Sequence, residues 1–181
     1  MKIWALLSAA FAGWVEIVRG EADWRRHFVI TMPGLVTALV LFLVFAFLSV
    51  VVASTSVGIP TLSGFIAVML VQALGIAALV IGLYATRMMV PTEAKLLDAL
   101  VPGVYLLVLY IILGTILSLF GGAVLLLLWA IMAVLLYRLG RMAAGWSLGV
   151  SVGFALLTLV LLVGMPLTLY MLTGPTAAPA A

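Results

Sequence analysis

The chain has 181 residues, of which 68% are hydrophobic and 7% charged, with no cysteine and a single histidine, His27. Ordinary soluble domains are roughly 45–50% apolar and about 25% charged. Eight basic and five acidic residues cannot wet the outside of a globule of this length, so a soluble domain and a disordered chain are both excluded. The missing Cys and lone His also exclude disulfide frameworks, thiol nucleophiles, iron–sulfur ligation and the usual zinc sites. What remains is an all-α, polytopic membrane helix bundle. A helix crosses the hydrocarbon core in about 20 residues, so five crossings fit.

Residues 1–27 read as a cytoplasmic segment holding an interfacial amphipathic helix. Ile3, Leu7, Ala10, Trp14 and Ile17 recur at spacings of three and four, one helical face, with Lys2, Glu16 and Arg19 off it. The same face would serve equally to pack on the protein's own bundle. Lys2 followed by an apolar run and Ala9-Ala10-Phe11-Ala12 outlines a cleaved signal. The run is short, however, and the acidic, Trp-rich sequence after it is no mature secreted start. Gly20 is the expected stop.

The membrane domain, residues 28–172, divides into five apolar stretches. The first covers 28–53, with Pro33-Gly34 in its first turn, where proline is tolerated. An uncharged link, 54–60, leads to the second stretch, 61–86, which Pro91 ends. The linker that follows holds Arg87, Glu93, Lys95 and Asp98, and the third stretch, 100–120, meets a turn at Gly121-Gly122. The fourth, 123–137, has 15 residues, about 23 Å of rise against a core of about 30 Å. The fifth, 147–172, is expected to kink at Gly164-Met165-Pro166, and 173–181 reads as a flexible Pro/Ala tail.

Charge is confined to three places. Every Lys and Arg falls within 2–26, 87–95 or 138–141, and the acids lie in or beside the first two. The positive-inside tendency puts all three segments in the cytoplasm. The expected topology is five spans with a cytoplasmic N-terminus and a periplasmic C-terminus, in a bacterial inner membrane.

Little in this pattern carries chemistry. No ionisable residue falls in any of the five stretches, whereas proton-coupled transporters keep such groups at mid-membrane. Glu93 and Asp98 are the acids most able to hold Mg²⁺ with a substrate phosphate, which gives a third-ranked reading as a membrane-interface enzyme. Phosphate-binding loops and dinucleotide fingerprints are missing. No cofactor, metal or nucleic-acid partner is expected, and His27 reads as a headgroup-level residue.

Helix packing has three sequence signals. Gly145, Gly149 and Gly153 form a small-residue row into the fifth span, and Tyr110, Gly114 and Ser118 form a stripe on the third. Gln72, Gly75, Gly82 and Thr86 share one face of the second, where Gln72 is the only span amide. At the charged face Arg19, Arg25, Arg26, Arg138 and Arg141 are expected to gather with Trp14, Trp24 and Trp146. This group anchors the chain in an aromatic belt, or contacts anionic lipid or an acidic partner at roughly 1 kcal/mol per basic residue.

The stretch Tyr105-Leu-Leu-Val-Leu-Tyr110 through Trp129 to Ser147, with this order of elements, resembles the Yip1-like membrane proteins, in particular their small bacterial members, over about residues 28–172. The resemblance implies a non-enzymatic protein acting through protein or lipid contacts. The Asp-Leu-Tyr-Gly-Pro type signature of eukaryotic members is absent, and no functional residue is carried over. The first expectation is an accessory subunit of a membrane complex or an oligomeric scaffold, whose partners are membrane lipids, other membrane subunits or itself. The alternative is a neutral-solute or lipid transporter with a path lined by Gln72, Thr86, Tyr110 and Ser118. The two diverge on whether those polar residues share one cavity.

Overall fold

The computed structural model describes residues 3–90, 92–118 and 125–173. Pro91, the Gly121-Gly122 turn and the tail from residue 174 lie outside them. Among the described residues every regular element is helical: α1 (Ile3–Arg19), a 3₁₀ helix (Ala22–His27), α2 (Met32–Val57), α3 (Leu62–Met89), α4 (Leu96–Ser118), α5 (Leu125–Met142) and α6 (Leu148–Thr173). Four of these, α2, α3, α4 and α6, are long and apolar enough to cross a membrane. The fourth stretch differs. α5 has 18 residues with Arg141 in its last turn, about 27 Å of rise in all, so its uncharged part is shorter than a full crossing.

Local chemistry sets the helix limits. Gly20, at φ +80°, ends α1 in the left-handed region that favours glycine. Thr31 caps α2, its Oγ1 accepting the Gly34 N–H at 3.2 Å, with Pro33 in the first turn. Gly34 is required there, because a Cβ would run into the Val29 carbonyl oxygen. Thr61 caps α3 in the same way, accepting from Gly64 N–H at 3.2 Å. α6 runs unbroken through Pro166.

The helices form a ring with α4 innermost. α2 packs chiefly on α4, α3 on α6, and α5 on both α6 and α4, while α2 and α3 touch little although a short loop joins them. Half of the α4 span is buried, against 28% for α2, α3 and α6. Its buried run Val101–Val108 meets Leu79 and Leu83 of α3, Leu136 and Leu139 of α5 and Phe154 of α6 in one core. Lipid offers apolar side chains the same surroundings as a neighbouring helix does, so close contact must hold the bundle. Glycines supply it: a Cβ on Gly82 would run into Thr158 Oγ1, one on Gly103 would lie 2.8 Å from Leu79 Cδ2, and one on Gly140 3.2 Å from Ser151 Cβ. The row singled out from sequence makes no such contact. Gly145 is a turn residue at φ +68°, and a Cβ on Gly149 or Gly153 would meet nothing within 4 Å.

α1 packs on the bundle. Ala10, Trp14 and Ile17 are buried, and Trp14 Nε1 donates to the Pro102 carbonyl of α4 at 3.2 Å. Trp4 and Phe11, 82% and 62% exposed, lie off that face. Trp14, Trp24 and Trp146 form no aromatic belt, since all three are buried. Trp24 packs on Phe28 at 6.1 Å, Phe28 on Tyr105 at 5.7 Å, and Trp146 on Phe154 at 5.2 Å between ring centroids.

Candidate functional site

The three charged segments meet at one end of the bundle. Arg25 of the 3₁₀ helix pairs with Asp98 of α4 at 3.1 Å, and Thr92 Oγ1 donates to the Ala144 carbonyl at 2.8 Å. A Cβ on Gly20 would lie 3.8 Å from Arg138 Nη1. The arginines are largely committed inside the protein. Arg26 holds Glu16 at 2.7 Å and Asp23 at 3.6 Å, Arg19 lies 3.8 Å from Glu21, and Arg141 donates to the Trp146 carbonyl at 2.9 Å. Arg25 also lies over the Trp24 ring at 5.4 Å.

Glu16 is the unexpected member. Off the apolar face in sequence, it is buried between α1 and the 3₁₀ helix, where His27 Nε2 lies 3.0 Å from its Oε1. The Arg26 guanidinium holds the Glu16 carboxyl below its ordinary range and His27 adds to this, while burial works the other way. The same pairing raises Arg26. His27 is therefore an internal partner of Glu16. Asp98 is taken by Arg25, Glu93 is exposed, and no group of three metal-ligating side chains occurs among the described residues.

The opposite, uncharged half holds a cavity of about 840 Å³, within the roughly 300–1,000 Å³ typical of small-molecule sites. On α2 it extends from Phe42 to Ala53, about 17 Å of helix rise, and all five bundle helices contribute to its wall. Gln72, Tyr110 and Ser118 all line it, joined by Ser49, Thr115 and Trp129. Thr86 does not: buried, it donates to the Gly82 carbonyl at 2.8 Å. Gly114 lies on the wall too, where a Cβ would meet Leu128 at 3.4 Å.

The polar atoms are only partly used up. Gln72, on the cavity lining, donates from Nε2 to Ser49 Oγ across a long 3.4 Å. Ser49 and Ser118 donate to carbonyls of their own helices at 2.7 and 2.8 Å, so their oxygens remain acceptors. Tyr110 and Trp129 add a phenol and an indole to the lining. The cavity thus offers donors and acceptors, all uncharged, on an apolar wall. Sequence reasoning missed Ser49, Thr115 and Trp129. Thr115 adjoins the Tyr110/Gly114/Ser118 stripe and was within reach of it, whereas nothing local marks Ser49. No protein-family profile, curated protein or solved structure matches this chain.

Proposed function

We propose that this is a non-enzymatic integral membrane protein that binds an uncharged amphiphile in its cavity, as a carrier or facilitator for a neutral lipid or solute. The convergence of Gln72, Tyr110 and Ser118 with Ser49 and Thr115 on one large cavity carries the reading. A cavity without charge suits a ligand without charge, because an ion there would go uncompensated. The positive-inside tendency places the charged end in the cytoplasm and the cavity in the outer half of a bacterial inner membrane.

The cysteine-free chain makes the test direct. Single cysteines at Ser49, Gln72 and Thr115 should react with a small thiol reagent and be protected together by bound lipid, while one at Thr86 should stay silent. Thr115→Phe, which fills the cavity, should abolish retention of neutral lipid after mild-detergent purification. Independent reactivities, or equal lipid retention in the filled variant, would overturn the reading. A second reading, association through protein contacts as in the Yip1-like layout, is favoured by the bare face at Gly149 and Gly153. A monomer without co-purifying protein would count against it.

A further inference from the structure

We infer that the cavity's occupant is a long-chain membrane lipid with an uncharged hydrogen-bonding head, and that it enters sideways from the bilayer through the seam between α2 and α3. This rests on the cavity reading above and adds the ligand class and its route.

The sides where α4 meets α2 and α5, and where α3 meets α6, are closed by interlocked helices. α2 lies on α4 with Ala38, Phe42 and Ala46 buried. α3 meets α6 through Gly82 against Thr158, and through Gly75, where a Cβ would lie 3.4 Å from Leu162. α4 meets α5 at Gly103 and Gly114. Between α2 and α3 there is no comparable lock. The two join through a loop containing Gly58 at φ +93°, then diverge to separate partners, α4 and α6. The long Gln72–Ser49 hydrogen bond and an edge contact of Phe47 with Phe65 at 6.0 Å lie across the seam. Val52 of α2 and Val71 of α3 both line the cavity and are 40% and 37% exposed, so neither is covered by the facing helix.

The route and the ligand imply each other. A helix seam lined by Val and Phe admits hydrocarbon from the bilayer and rejects hydrated solutes. Once inside, an alcohol, ester or ketone head can exchange the weak Ser49 bond of Gln72 for its own and meet the Tyr110 hydroxyl, while the chain follows the apolar wall. A phosphate head would find no cation, since the described cavity lining holds none.

The experiment uses full-length protein in phosphatidylcholine vesicles carrying either photoreactive diacylglycerol or photoreactive phosphatidylglycerol. Phe47→Cys/Phe65→Cys closes the seam with a short, reducible bis-thiosulfonate. Diacylglycerol should label the open protein, labelling should be lost on cross-linking, and reduction of the same sample should restore it, which separates closure from misfolding. Undiminished labelling of the cross-linked protein would overturn the lateral route and leave the cavity reading standing. Equal labelling by phosphatidylglycerol would overturn the ligand class. No labelling of cavity residues by either probe in the open protein would sink the cavity reading itself.

Discussion

Gly82→Ala probes the α3–α6 contact most sharply. The added Cβ would run into Thr158 Oγ1 and lie 3.2 Å from Thr158 Cβ and 3.5 Å from Phe154. Thr158 is 1% exposed and cannot withdraw without moving α6. Overpacking a core in this way costs about 1–3 kcal/mol. The usual gain of nearly 1 kcal/mol for replacing a helical glycine should largely vanish, because a membrane helix that separates from its neighbours stays helical. The net expectation is a loss of about 1–2 kcal/mol, or roughly 2–8 °C in melting temperature for a chain of this size. Thermal unfolding in mild detergent can follow it through Trp146, which packs on Phe154 at 5.2 Å. Thr158→Ala in the same chain should return much of the loss, since it removes the clashing oxygen, which has no hydrogen-bond partner. Gly153→Ala should be near neutral because its Cβ meets open space. Gly103→Ala should fall between, its contact being the movable end of Leu79. A Gly82→Ala variant as stable as Gly153→Ala would refute the close α3–α6 contact.

Other perturbations address the charged end. Glu16 is held below its ordinary 4.5 chiefly by Arg26. Its contribution to stability is therefore present above that value and lost as pH falls through the lowered one. Melting temperature followed from pH 6 downward should show a decline that is flattened in Glu16→Gln; equal slopes would remove Glu16 from the account. Asp98→Asn frees Arg25, whose side chain is 56% exposed, so the expected cost is at most about 1 kcal/mol. It should shrink at high salt and show as faster proteolysis near residues 20–31. Trp14→Phe removes the donor to the Pro102 carbonyl at a cost of about 1 kcal/mol, and a cysteine at Ala10 should then become more reactive; unchanged reactivity would mean that packing alone seats α1.

The architecture was largely legible because its signals are collective. Twenty-odd uncharged residues in a row force a helix in lipid. Confinement of charge to three segments foretold one charged end, which Arg25–Asp98 and Thr92–Ala144 build. Helix caps at Thr31 and Thr61 and the stop at Gly20 are local chemistry and fall within a few residues of the expected limits. The site was half legible. Gln72, Tyr110 and Ser118 stood out as rare polar groups, but a small-residue stripe reads alike whether a helix or a void faces it. The neighbour decides: α6 seats Thr158 on Gly82, whereas nothing seats on Gly149. Glu16 was misjudged for a related reason. Periodicity ranks positions by polarity, and a carboxylate beside Ile17 is drawn inward only by Arg26 and His27 ten and eleven residues later.

The two ends of the bundle are therefore built on opposite terms. At the charged end ion pairs, the Trp14 hydrogen bond and the closely set glycines fix α1, α4 and α5 in one arrangement. At the other end a long hydrogen bond and an aromatic edge lie between α2 and α3, which otherwise touch little. A void in lipid forfeits the contacts that hold helices together. About 840 Å³ is thus a large space to leave empty beside a bilayer, which is why the proposed occupant is a lipid. The proposed ligand, an uncharged lipid, would fill it with hydrocarbon, and the few uncharged polar groups on the wall would select its head. A closely locked end that sets the helix spacing and a loosely tied end beside the cavity are together what the proposed lipid binding requires.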